Sequence, residues 1–208
     1  MSIDIDILEK DSVIKKRLLE ALVSEVNIAL RSAKGTISSR IKEKARQWLS
    51  STPEIESLSS GGTLVADFGL AGGGGAVAAT IVDSIMQTLI IDLISVSTTA
   101  FNGGLIVRMQ PSDLSNILSL SAGSYITKKG EKIPWLNWLL TRGDDIIIAK
   151  YDVEYGPFGR SGKGRMVSGN AFRVNPSFSG TQDDNFITRA FVGKESEIMA
   201  IFKKYVKT

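Results

Sequence analysis

The chain has 208 residues, of which 43% are hydrophobic and 23% charged, with a formal net charge of +3. Those proportions belong to an ordinary folded protein with a core of its own, and the charge excess is too small to announce a nucleic-acid-binding surface by itself. With neither cysteine nor histidine present, disulfides, thiol nucleophiles and imidazole acid–base chemistry are excluded, and zinc loses its usual ligands.

Residues 1–11 form an acidic arm carrying Asp4, Asp6, Glu9 and Asp11, without the basic-then-apolar order of a secretory leader. From 13 to 49, Ile14, Leu18, Leu22, Val26, Leu30, Ala33, Ile37, Ile41, Ala45 and Trp48 recur at three- and four-residue spacings. That spacing predicts one face of a single long helix, capped by Asp11 or Ser12 and open to a kink at Gly35. At 1.5 Å per residue it reaches about 50 Å. Its opposite face carries Lys15, Arg31, Arg40, Lys44 and Arg46, which is expected to be solvated. Thr52-Pro53-Glu54 predicts a second, short helix: hydroxyl, proline and carboxylate at its positive end, with Gly61 and Gly62 closing it. A brief apolar segment spans 63–70. The glycine run at 71–75 is expected to be a hinge; a phosphate cradle would need a preceding strand and a Lys-Ser/Thr pair.

Residues 76–94 again read as helix, with Val77, Ile81, Ile85, Leu89 and Leu93 on one line and Val82, Met86 and Ile90 widening it. So wide a stripe predicts burial between layers or between subunits, and Asp83, Gln87 and Asp92 oppose a membrane crossing. Ile81, Ile85, Leu89 and Leu93 are therefore candidate inter-subunit residues. Residues 95–101 and 104–109 read as strands around the Asn102-Gly103 turn, and a short helix runs to Leu118. Pro134 and Gly143 bracket a two-turn helix whose Trp135 and Trp138 are expected to anchor packing, also between subunits. After Asp144-Asp145, residues 146–155 read as a strand. A loop follows, then a strand centred on Phe172 and Val174, a helix starting near Thr181 with Asp183 and Asp184 in its first turn, and a closing helix with Ile198, Ile201, Phe202 and Tyr205. The sum is a single α+β domain over 1–208: long N-terminal helices packed on a small, mainly antiparallel sheet, with a C-terminal helix.

The loop at 156–170 is glycine-rich, basic and expected to be flexible. It is not a nucleotide-binding loop, because Pro157 stands where the first glycine belongs and Gly164 where a magnesium-binding hydroxyl is required. Ser161 has no histidine to activate it, and the pairs Asp144-Asp145 and Asp183-Asp184 have structural roles in turns and helix starts. No catalytic, metal or cofactor site is expected. What remains is Lys150, Arg160, Lys163, Arg165 and Arg173 against Asp152 and Glu154, a set able to touch DNA phosphates without reading sequence, or an acidic neighbour such as the arm of an adjacent copy.

Val153-Glu154-Tyr155-Gly156 ending a strand, the glycine-rich loop, Phe186-Ile187-Thr188-Arg189-Ala190-Phe191 opening a helical end, and Gly62-Thr63-Leu64 in place of a Thr-Gly-x-Leu phrase resemble the neck or tail-completion (head-to-tail connector) proteins of tailed bacteriophages. The resemblance implies a non-catalytic α+β subunit that is made in the host cytoplasm and carried in the virion. It further implies a ring of identical copies between portal or adaptor and tail-terminator or tail-tube proteins, with DNA passing through the lumen. The alternative is a nonspecific nucleic-acid-binding module acting through the basic loop.

Overall fold

The computed structural model describes residues 9–110, 113–126 and 130–206. Most of the acidic arm, residues 1–8, lies outside them. The architecture is α+β: helices α1 (Asp11–Ser50), α2 (Pro53–Ser59), α3 (Thr63–Asp67), α4 (Gly75–Thr88), α5 (Ser115–Leu118), α6 (Leu136–Leu140), α7 (Phe186–Phe191) and α8 (Glu195–Tyr205) are joined by strands β1 (Leu89–Ile94), β2 (Gly104–Met109), β3 (Tyr125–Ile126), β4 (Lys132–Ile133), β5 (Ile148–Tyr155) and β6 (Gly164–Phe172). Among the described residues the strands form three two-stranded sheets, β1-β2, β3-β4 and β5-β6, so each strand has one neighbour. Among the described residues no helix is long and apolar enough to cross a membrane.

The chain folds into two compact units. The first takes residues up to Ile41, Ile91–Arg108 and those from Ser196 on; the second takes Lys42–Ile90 and Met109–Glu195. No shift of composition marks where the chain passes between them, which is why one domain was expected. In the first unit the core is Ala33, Ile37 and Ile41 of α1 with Ile91 of β1, covered by Leu105 and Val107 of β2 and by Ile198, Ile201, Phe202 and Tyr205 of α8. Asn27 ties α1 to the chain after β1, donating to the Val96 carbonyl (3.0 Å) and accepting from the Val96 N–H (2.8 Å). In the second unit Phe68 stacks on Trp135 (4.9 Å) and Trp48 meets Phe191 edge-on (5.9 Å).

Helix α1 runs through Gly35 without a break. Thr52 does precede Pro53 at the start of α2, but its hydroxyl turns back to donate to the Leu49 carbonyl (2.8 Å) instead of capping α2. The glycine run makes a close contact: a side chain at Gly74 would collide with the Leu58 carbonyl and Val65, so α4 starts tightly against α2.

Four expectations change. Helix α4 ends at Thr88, and Leu89–Ile94 is strand β1. That segment holds three isoleucines, buries alternate residues Leu89 and Ile91, and pairs Asp92 with Arg108 of β2 at 2.9 Å. The expected strand at 95–101 is accordingly connecting chain. Strand β6 starts at Gly164 rather than near Phe172, so residues 164–170 of the supposed flexible loop are paired with β5, from Tyr155↔Gly164 to Ile148↔Phe172. Helix α7 starts at Phe186, beyond Asp183 and Asp184. Asn185 caps it by accepting from the Ile187 and Thr188 N–H groups while Thr188 Oγ1 accepts from the Asn185 N–H.

Ile81 (0% exposed), Ile85 (0%), Leu89 (2%), Trp135 (0%) and Trp138 (6%) are enclosed by their own chain, and Leu93 is half-buried. Side chains with no surface left cannot be the inter-subunit contacts expected of them. Their wide apolar stripe is internal core.

Candidate functional site

The basic residues singled out in the sequence gather along the β5-β6 hairpin, and most of them are held by groups of the same chain. Residues 156–163 form a bonded turn, in which Gly156 N–H donates to the Lys163 carbonyl (3.0 Å) and Gly164 N–H to that of Phe158 (3.2 Å). Gly159 is left-handed, and a side chain there would strike the Gly164 carbonyl. Arg160 donates from Nε to the Gly69 carbonyl at 2.7 Å and lies over the Tyr125 ring at 4.7 Å. Arg165 pairs with Glu154 across the hairpin at 2.7 Å and covers Phe158 at 4.7 Å. Arg173 donates to the Asp144 carbonyl at 3.0 Å, with the Asp144 carboxylate 3.7 Å away. The Lys163 stem rests near Gly61. Lys150 sits with φ of 64° at the irregularity between Ala149 and Tyr151. Among the described residues neither the Lys150 nor the Lys163 ammonium has an ion-pair partner.

Helix α3 packs against both strands of the hairpin. Tyr155, the last residue of β5, donates its hydroxyl to Asp67 Oδ1 at 2.8 Å. Asp67 is 4% exposed, and burial pushes its carboxyl up to about 6 against the lowering effect of that hydrogen bond. The Tyr155 hydroxyl is raised above its usual range by burial first, then by the hydrogen bond and charge of Asp67. Beside the pair lies a cleft of about 400 Å³ reached by Asp152, Phe172, Arg173 and Asn175.

A second cleft, about 360 Å³, lies between Trp48, Glu54, Ser177, Arg189 and Lys194. Glu54 is buried, and Arg189 reaches it at 2.7 Å while standing 3.6 Å from Asp184. Desolvation raises the Glu54 carboxyl, and its own backbone together with the Arg189 charge opposes the rise. Of the pairs Asp144-Asp145 and Asp183-Asp184, Asp144 stands against Arg173 and Asp184 against Arg189. Among the described residues no group of three or more His, Cys, Asp or Glu could hold a metal ion.

The contacts that sequence reading missed are Asp67–Tyr155, Arg160–Gly69 and Glu54–Arg189. Only the first left a mark, a lone carboxylate inside the apolar run Leu64-Val65-Ala66-Asp67-Phe68. The hairpin is thus braced on α3 through Tyr155 and Asp67, and three of its five cations, Arg160, Arg165 and Arg173, are bound to groups of the same chain. No family model, curated protein or solved structure matches this chain.

Proposed function

We propose that this chain is a structural virion subunit, a neck or tail-completion protein that forms a ring between the head or portal side of a tailed bacteriophage and its tail, with DNA passing through the lumen. One observation carries the reading: the β5-β6 ribbon is braced by α3 and has its guanidinium groups turned onto its own chain, while the outer edges of both strands lack a neighbour among the described residues. An ordered ribbon with open edges suits strand addition by an adjacent subunit better than loose capture of phosphates. Of the phrases behind the phage resemblance, Val153-Glu154-Tyr155 ends β5 before Gly156, whereas Phe186–Phe191 is a helix of its own and does not begin the last helix, α8.

The test is the native mass of the purified protein and its appearance by electron microscopy, alone and with portal and tail-tube proteins. A cyclic oligomer under either condition supports the reading, and a chain that remains monomeric in both defeats it.

The nucleic-acid alternative draws on Lys150 and Lys163, whose ammoniums are unpaired among the described residues. It requires DNA binding that falls steeply with salt and with Lys163→Ala; absent or salt-insensitive binding removes it.

A further inference from the structure

The first five turns of α1 carry an apolar face that the described residues leave uncovered. Leu18 is 64% exposed and Leu22 50%, whereas further along the same helix Ile37 and Ile41 are fully enclosed. Ile14 and Val26, four residues to either side, continue the ridge and are half-buried. On a helix these four form one inclined ridge that turns through about 120°, and Lys15 and Glu25 stand at its opposite ends, each within about 40° of the midline between Leu18 and Leu22. Lys16 pairs with Glu20 and Arg17 with Glu9, but Lys15 and Glu25 have no partner among the described residues.

The pattern is self-complementary. If a second copy of the helix is laid antiparallel across the ridge, about a two-fold axis between Leu18 and Leu22, then Leu18 meets Leu22, Ile14 meets Val26 and Lys15 meets Glu25, each pairing occurring twice. Parallel alignment in register would instead set Lys15 on Lys15 and Glu25 on Glu25.

We propose that the N-terminal turns of α1 are a homodimerisation surface, on which two copies of this chain pair antiparallel through Leu18 and Leu22 and are held in register by reciprocal Lys15–Glu25 ion pairs. A two-fold contact of this kind uses the same patch on both partners, whereas a cyclic ring needs two different patches. The pairing therefore stands independently of the ring reading. The contact area of two short helical stretches is small, so the association is weak and concentration-dependent.

The experiment uses the full chain. Zero-length carbodiimide cross-linking, followed by mass spectrometry of mixed isotope-labelled and unlabelled protein, should give a Lys15–Glu25 link bridging two copies. Those residues are ten apart on one helix, about 15 Å, too far for a link within one chain. Sedimentation should show a monomer–dimer step weakened roughly a hundred-fold or more by Leu18→Asp, with helicity by circular dichroism unchanged. Lys15→Glu and Glu25→Lys, each alone, should weaken it about ten-fold, and an equimolar mixture of the two variants should restore it, because every facing pair is then opposite in charge. Absence of the inter-copy link, pairing indifferent to Leu18→Asp, or no recovery in the mixture would overturn the proposal. A ring built through other surfaces leaves the cross-link readable, and failure of the ring leaves it equally readable.

Discussion

The β5-β6 hairpin and the first turns of α1 make opposite use of their conspicuous side chains. In the hairpin the conspicuous groups are charged, and three of the five cations are bound to a carbonyl, a carboxylate or an aromatic ring of the same chain. In α1 they are apolar, and Leu18 and Leu22 touch little. A charge in a loop attracts the eye in a sequence, but the side chain left without a partner after folding is the better sign of an external contact. By that measure the α1 face outranks the loop cations.

The comparison can be broken at several points, in descending size. Ile37→Ala removes a side chain that is 0% exposed at the centre of the α1–β1–α8 core, and should cost about 3 kcal/mol in denaturant unfolding. A loss under about 1 kcal/mol would mean that this part of α1 is as open as its start. Tyr155→Phe takes the donor from a buried carboxylate and should cost about 1–2 kcal/mol at pH 8, and less near pH 4, where Asp67 carries a proton.

Asp67→Asn should act the other way. The folded carboxyl titrates at about 6, above its ordinary 3.8, so the folded state holds the proton more tightly than the unfolded one. The stability contributed by that proton is complete below the unfolded value and is lost as pH rises through the folded value. Asparagine keeps an oxygen for Tyr155 without the charge, so the variant should gain about 1 kcal/mol over the parent at pH 8 and nothing near pH 4. Thermal unfolding measured at both pH values checks it; a gain that is equal at both would assign the effect to packing rather than to the buried charge.

Sequence revealed what is local. The three- and four-residue spacing of α1 predicts a helix that the structure carries over 40 residues, and Pro53 marks the start of α2. Leu89–Ile94 was misread because its leucines prolong the helical line of α4, and the decision between helix and strand fell to pairing with β2, beyond the reach of any local window. The start of α7 was legible in principle from Asn185 and Thr188, a cap with its third-position partner, but the acidic pair just before it drew the boundary too early. Nothing local could show that Arg160 bonds a carbonyl 91 residues away, or that Tyr155 meets Asp67 across 88. The loop's cations were visible as residues, while their occupancy is a product of tertiary structure. The uncovered face of α1 was hidden for the converse reason. Periodicity gave Leu18 and Ile37 the same standing, and only burial separates them.

That separation yields the smallest effect, measured on a single helix. Leu22→Ala deletes a side chain that is 50% exposed, so in dilute protein, where copies are apart, it should leave unfolding stability within about 0.5 kcal/mol of the parent. Alanine even favours the helix slightly over leucine, which sets the expected sign near zero rather than negative. At concentrations where two copies meet, the same variant should lower apparent stability relative to the parent, because pairing adds a concentration-dependent term that the parent alone enjoys. Denaturation curves of both proteins over a hundred-fold range of concentration should therefore coincide at the dilute end and diverge at the concentrated end. If the variant loses about 2 kcal/mol even when dilute, Leu22 is buried in the free chain and the contrast between the two halves of α1 disappears.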